Sequence, residues 1–291
     1  MTALLTTMQA IIQLIGGAII AVIPTGRGSC MKGTMSIPAH QASPSLRGLF
    51  DVGQPLAIRC FAVLDDAIRG QIWTDDLAQP TWGAVQEAAF GTLFLGGRPE
   101  ASLVHQLITG LRQERDVALA LWQGHPYNQL LPPTPDFDGW ELEFTDRPLG
   151  TDPIPHLSVP DGCELLPIDA TWFARCRYGD YYAAYFGSAE RTLEQGFGFC
   201  LVNDQELLSE AFAADAALGM IEIGTITGEA YRGRGYAALT CVRLIQECEA
   251  RGYRTYWNCA KENQASAGLA RRLGYQTEQE FRYVVYSRPD R

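Results

Sequence analysis

The stretch from Met220 to Gly252 constrains this chain more than any other. Met220–Thr227 reads as a strand, rich in β-branched residues. The turn Tyr231-Arg-Gly-Arg-Gly235 follows it, and residues 236–251 read as a helix. Ala237, Cys241, Ile245 and Cys248 form one stripe of that helix, and Gly252 stands where a C-terminal cap belongs. A strand that feeds a helix through glycines commits the chain to layers of sheet and helix. Glycines let backbone N–H groups approach an anion closely, and the start of a helix adds positive potential there. Arg232 and Arg234 add full charges. The run therefore reads as a cradle for a diphosphate, with a plain strand-to-helix turn as the alternative.

Two nucleotide-binding patterns do not fit it. A Rossmann turn follows its strand at once, whereas residues 228–232 intervene here, and the strand follows a hairpin rather than opening a parallel unit. No GxxxxGK[ST] string occurs. The net charge of −10 repels a phosphate backbone and argues against nucleic acid as a main partner. It suits a cationic small molecule such as an amine. All four histidines precede residue 157, so the second half cannot hold a Ser-His-Asp machine of its own. The eight cysteines form no CxxC pair or Cys/His cluster. They read as reduced, buried thiols, with no metal site and no nucleophile.

Three segments are expected. Residues 1–44 are an apolar leader with no acidic residue. It is read as spurious or dispensable, with translation starting near Met31 or Met35. A membrane anchor or an unusual export signal is the alternative. Residues 45–150 form a smaller N-terminal α/β domain. Within it, 57–64 and 70–73 read as short strands or helix edges, 81–95 and 102–114 as helices, and 117–122 as a buried strand. Asp75 and Asp76 read as a turn. Prolines at 132–135 and 148–155 mark the boundary. Residues 155–291 run strand, strand, strand, helix, strand, helix, strand. Asn203-Asp204 makes a hairpin turn, and Asn263 caps a helix that Gly274 ends. The expected fold class is α/β (α+β), with a mixed, mostly antiparallel sheet flanked by helices in this segment.

Arg232-x-x-Gly235-x-Ala237 resembles the R/Q-x-x-G-x-G/A motif of the GNAT acyl-CoA N-acetyltransferase superfamily. The run from Trp257 through Asn263 and Ser266 to Leu273-Gly274-Tyr275 is similar to that superfamily's second half. The likeness covers about residues 160–286. Gly196-Phe-Gly-Phe-Cys200, Glu222-Ile-Gly224 and the glycine turn resemble, more narrowly, the zwittermicin-resistance-type GNAT family. Gly70–Pro80 and Phe94-Leu-Gly-Gly97 extend that likeness to the family's extra N-terminal domain.

The resemblance implies acetyl-CoA as cosubstrate. Ile226 and Thr227 would offer backbone groups to the pantetheine arm. The turn Arg232, Gly233, Arg234, Gly235, Tyr236 and Ala237 would hold the diphosphate. Asn263 would face pantetheine or thioester with Ser266 nearby; an N-cap and a first-turn serine are the alternatives. Direct transfer to the amine of a small molecule, with Glu222 as a base of raised pKa, is the expected mechanism, and a structural partner for an arginine is the other reading of Glu222. A non-catalytic acyl-CoA-binding or sensing module is the alternative function. The superfamily's tyrosine acid is replaced by Ala270, leaving Tyr275, Tyr236 and Ser266 as substitutes. A cytoplasmic protein is expected, with a membrane partner only if the leader acts as an anchor.

Overall fold

The computed structural model describes residues 34–150, 154, 157–204 and 206–289. The expectations for residues 1–33, and for part of the proline-rich stretch 148–155, lie outside the described residues. Within the segment read as a leader, residues 34–44 are nonetheless structured. Strand β1 (Met35–Ile37) pairs antiparallel with β2, and Ser43 caps helix α1 (Pro44–Arg47) by accepting the Leu46 amide at 3.1 Å.

Helix α2 (Ala57–Leu64) follows, then strands β2 (Gly70–Thr74), β3 (Trp82–Glu87) and β4 (Leu93–Gly97). These strands form an antiparallel sheet in the order β1-β2-β3-β4. Residues 81–95, read as a helix, are therefore a hairpin. Their apolar spacing fits either period, and the turn decides: Gly91 sits at φ +74°, and buried Glu87 accepts the amides of Ala89, Phe90 and Thr92. Asp75 and Asp76 sit in a turn, as expected, accepting amides from Thr81, Ala78 and Gln79.

Helix α3 (Ala101–Leu111) leads to β5 (Val117–Leu121) and β6 (Phe137–Thr145). Then come β7 (Cys163–Pro167), α4 (Ala170–Phe173), α5 (Gly179–Phe186), α6 (Ala189–Gln195), β8 (Phe197–Asn203), β9 (Glu206–Ala217) and β10 (Met220–Thr227). Helix α7 (Tyr236–Ala250), β11 (Arg254–Ala260), α8 (Gln264–Arg272) and β12 (Thr277–Tyr286) complete the chain.

The second sheet has eight strands, ordered β5-β12-β6-β11-β10-β9-β8-β7. The sheets do not divide where the prolines suggested. Strand β6, from the segment read as N-terminal, lies between β11 and β12 and is antiparallel to both. Pairing partners 113 to 148 positions away, such as Phe144 with Trp257 and Phe137 with Val285, leave no local trace in sequence. Only β10 and β11 pair in parallel, with α7 as their crossover; the remaining neighbours are antiparallel.

Side chains alternate between two cores. Ile221, Ile223, Trp257, Cys259, Leu142 and Phe144 pack with α7 and α8. On the opposite face, α2 is wedged between the two sheets and all eight of its residues are buried. The charged one, Arg59, fixes the architecture of the site.

Candidate active site

Strands β10 and β11 pair only at Met220–Arg254, Ile221–Thr255 and Glu222–Tyr256. Beyond that point β10 follows β9 as far as Thr227, while β11 follows β6 as far as Ala260. The sheet thus opens into a V. Gly224, Thr225, Ile226 and Thr227 are half-buried at successive positions, the pattern of a strand with one free edge. Gly224 is needed here: a Cβ at this position would lie 2.8 Å from the Tyr182 hydroxyl. That hydroxyl is buried without a hydrogen-bond partner, and its ring stacks on Phe212 at 4.6 Å. Burial keeps it protonated, so an unused donor faces the mouth of the V.

The glycine turn stands at the end of β10. Gly233 and Gly235 have φ of +79° and +82°, and a Cβ on either would meet nothing within 4 Å. The bend is therefore not plugged. Among the described residues, no acceptor faces the amides of Gly233, Arg234, Gly235, Tyr236 or Ala237; pairing resumes with Ala238, which donates to the Gly235 carbonyl at 3.0 Å. Five consecutive amides without an acceptor, at the start of a 15-residue helix, are donors that an anion can use. Arg232 donates to the Thr227 carbonyl at 3.4 Å and lies 3.7 Å from Glu229, while Arg234 lies over the Tyr231 ring at 5.7 Å. Both arginines stay exposed beside the turn.

Three expected catalytic residues have defined partners. The Glu222 carboxylate accepts from Arg59 Nε at 2.8 Å and Nη2 at 2.5 Å, and from Asn258 Nδ2 at 2.7 Å. The guanidinium and these hydrogen bonds outweigh burial and hold the carboxyl below the ordinary range. The expected rise in its basicity is not found. Its reading as an arginine's partner is the one with geometry behind it. Asn263 Oδ1 accepts the Ser266 amide at 3.1 Å and so caps α8. Ser266 Oγ accepts the Trp257 indole N–H at 3.1 Å. Ala270 is fully buried, and Tyr275 is buried and bonded to Thr255 at 2.7 Å, so neither offers a proton to the V. Burial pushes the Cys200 and Cys259 thiols up to about 12 and about 11, unlike nucleophiles.

Residues missed by sequence reasoning complete the face. Strand β9 carries one extra residue between Ala213 and Ala216, and this bulge sets Asp215 against Glu222. One guanidinium neutralises one carboxylate. Burial and the Glu222 charge push Asp215 well up, so it stays protonated while Glu222 is ionised. Glu143 is buried and accepts from the Tyr256 hydroxyl at 2.6 Å and the Leu56 amide at 3.5 Å. Tyr256 and Trp257 point to opposite faces, as alternation requires, and only Tyr256 shares the face of Glu222. Glu141 lies on that face too, opposite Ala260 where β11 has left β10. It is half-buried and has no hydrogen-bond partner among the described residues; burial pushes it up to about 7. The signal for Arg59 was present: a charge inside the apolar run Ala57-Ile-Arg-Cys-Phe-Ala-Val-Leu64 must be paired when buried. Glu141 and Glu143 alternate with Leu142 and Phe144, which reads as a solvated strand face.

Residues 153–286 match the model of the family described as GNAT acetyltransferase. The chain is 25% identical over 235 residues to "Uncharacterized N-acetyltransferase YdfB" of Bacillus subtilis (strain 168), covering 78% of this chain and 88% of that protein. Its fold is similar to a GCN5-related N-acetyltransferase-like protein from Streptococcus suis 89/1591, with a TM-score of 0.65, 23% identity, and coverage of 86% of this chain and 100% of that one. It is also similar to a putative GNAT acetyltransferase from Novosphingobium aromaticivorans DSM 12444, with a TM-score of 0.55, 17% identity, and coverage of 81% and 98%. Among the described residues, no helix is long and apolar enough to cross a membrane. The family match thus covers residues 153–286, on a fold whose sheet opens beside an unplugged glycine turn and which is similar to that of GNAT-type proteins.

Proposed function

We propose that the protein is an acetyl-CoA-dependent N-acetyltransferase that acetylates the amine of a small molecule by direct transfer. The observation that carries the reading is the open turn at the end of the splayed strand, with five amides that meet no acceptor among the described residues. These amides, with Arg232 and Arg234, would hold the diphosphate of CoA. The free edge at Ile226 and Thr227 would receive the pantetheine arm, leading the thioester toward Glu222 and Asn258. Asn263 and Ser266 keep their proposed place near that arm through the side-chain atoms their structural bonds leave free. A backbone amide of β10 past the opening, together with the Tyr182 hydroxyl, would face the charge that develops on the thioester oxygen.

The acceptor would enter from the face of α2, where carboxylates outnumber Arg59 and favour an ammonium group. A two-domain organisation of the zwittermicin-resistance type, in a cytoplasmic protein, accords with the contribution of residues 34–145 to this face and with the reduced cysteines. An aminopolyol or a similar polar amine is the acceptor class that follows.

The test combines CoA binding by calorimetry with thiol release from acetyl-CoA across a panel of amines. Amine-dependent thiol release by the native protein, and loss of CoA binding in Gly235→Val, are the expected results. Binding without turnover would assign the chain to the non-catalytic alternative, and undiminished binding by Gly235→Val would remove the basis of the reading.

A further inference from the structure

We propose that Glu141, delivered by strand β6 from outside the matched segment 153–286, is the general base that deprotonates the acceptor ammonium. The assignment rests on the acetyl-transfer reading and names the residue that does its proton chemistry.

The argument is one of position and of elimination. Glu141 pairs with Ala260 in register, so it shares a sheet face with Glu222, Tyr256 and Asn258, at the level where the V is open. The other carboxylates on this face are hydrogen-bonded or, for Asp215, fully enclosed. Glu222 is clamped by Arg59 and Asn258. Glu143 accepts from Tyr256 and from the Leu56 amide. Glu210 accepts the amides of Arg177 and Tyr178. Asp215 is buried beyond reach of an acceptor, its Oδ2 meets no partner among the described residues, and burial with the Glu222 charge pushes its carboxyl well up. Glu141 alone in this group keeps both oxygens free of hydrogen bonds among the described residues while lying half-buried.

The charged and titratable groups facing it come from several elements. Arg59 on α2 favours the ionised form, whereas Glu222 on β10 and Glu262 after β11 oppose it. Tyr283 on β12 and Cys259 on β11 feel the Glu141 charge in turn. Burial outweighs them all and brings the carboxyl to about 7, where a base can both be ionised and bind a proton.

The step balances without a further reactant. Ionised Glu141 takes one proton from R–NH3+, and the freed nitrogen lone pair attacks the thioester carbon. When the tetrahedral adduct collapses, the C–S bond breaks and its electron pair leaves on sulfur. The second nitrogen proton passes to that thiolate. The products are the amide, CoA thiol and protonated Glu141, which returns its proton to water. The residue that replaces the superfamily's acid, Ala270, is not required.

The experiment compares kcat/KM against pH from 5 to 9 for native protein, Glu141→Gln and Glu141→Asp, using one amine that the native protein acetylates. CoA affinity is measured alongside. Substrate ionisation is common to all three proteins. The native profile is expected to fall about tenfold per pH unit below about 7. Glu141→Gln, isosteric and expected to fold, should lose about 100-fold or more in kcat and lose that limb, with CoA affinity unchanged. Glu141→Asp should recover part of the rate and keep the limb. If Glu141→Gln retains both limb and rate within about threefold, the assignment is overturned while acetyl transfer stands. Absence of turnover by the native protein with any amine overturns the reading and the assignment together.

Discussion

Replacement of Arg59 by methionine tests the arrangement on which the acceptor face depends. The Arg59 and Glu222 side chains are only 7% and 11% exposed, and they meet through two hydrogen bonds of 2.8 and 2.5 Å. The guanidinium also lies 4.7 Å from the centre of the Phe90 ring. Methionine keeps much of the volume but leaves Glu222 with Asn258 and protonated Asp215. Breaking a buried pair by removing one partner costs about 3–5 kcal/mol, because the other charge stays behind. The cost depends on pH in a definite direction. Glu222 titrates below its ordinary value in the native fold, so the pair's contribution is fully present above the unfolded value near 4.5 and is lost as pH falls through the lower native value. The deficit of Arg59→Met should therefore be largest at neutral pH and shrink on acidification. Urea unfolding at pH 7 and pH 3 reads it as a change in midpoint at constant slope. Arg59→Met/Glu222→Leu should recover most of the loss, since an apolar pair can replace a buried ion pair. A single variant within about 1 kcal/mol of native, or a double variant no more stable than the single, refutes the reasoning.

Further outcomes follow from other parts of the molecule. Gly235→Ala should cost about 1–2 kcal/mol from its φ of +82°, not from a clash, because the space around it is open; thermal unfolding measures the cost and calorimetry the accompanying loss of CoA affinity. Glu141→Gln should stabilise the protein by up to about 3 kcal/mol above pH 7. A carboxyl raised from 4.5 to about 7 by folding destabilises the native state once ionised, and the gain should vanish below pH 4.5, as denaturant melts at pH 9 and pH 4 would show. A fragment of residues 150–291 should aggregate on size exclusion where 34–291 does not, since loss of β6 strips β11 and β12 of the strand between them. Cys200 and Cys259 should resist a thiol reagent at pH 8 in the native protein and react once it is unfolded.

The two halves of the site differ in how far they could be read from sequence. The cosubstrate half is local. One strand, one glycine turn and one helix lie within residues 220–251, and the left-handed backbone at 233 and 235 requires the residue type that announces it. The cap at Asn263 and the stops at Gly252 and Gly274 are local for the same reason. Glu222 was singled out from its place on that strand, but its partner Arg59 is 163 residues away, and without the partner its expected basicity had the wrong sign. The hairpin at 82–97 reads as a helix in sequence because Trp82, Val85, Ala89 and Leu93 recur at three and four, and only the Glu87 carboxylate turning back on three amides settles the matter.

That division has a chemical consequence. The turn that would hold CoA and the strand that carries Glu141 meet only through tertiary contacts, and β6 is also the element that separates β11 from β12. Residues on the buried face of β6 that meets α7 and α8, such as Leu142 and Phe144, are fixed by packing, whereas Glu141 and Glu143 lie on the other face, the one from which the proposed acceptor would enter. Substitution on that second face should therefore alter which amine is used, and at what pH, while leaving affinity for CoA in place. Substitution on the first face should unseat the strand and remove both properties at once. On the proposed reading, acceptor choice would lie with β6, outside the matched segment 153–286, because an open carboxylate needs only a strand to hold it and tolerates many sequences around it.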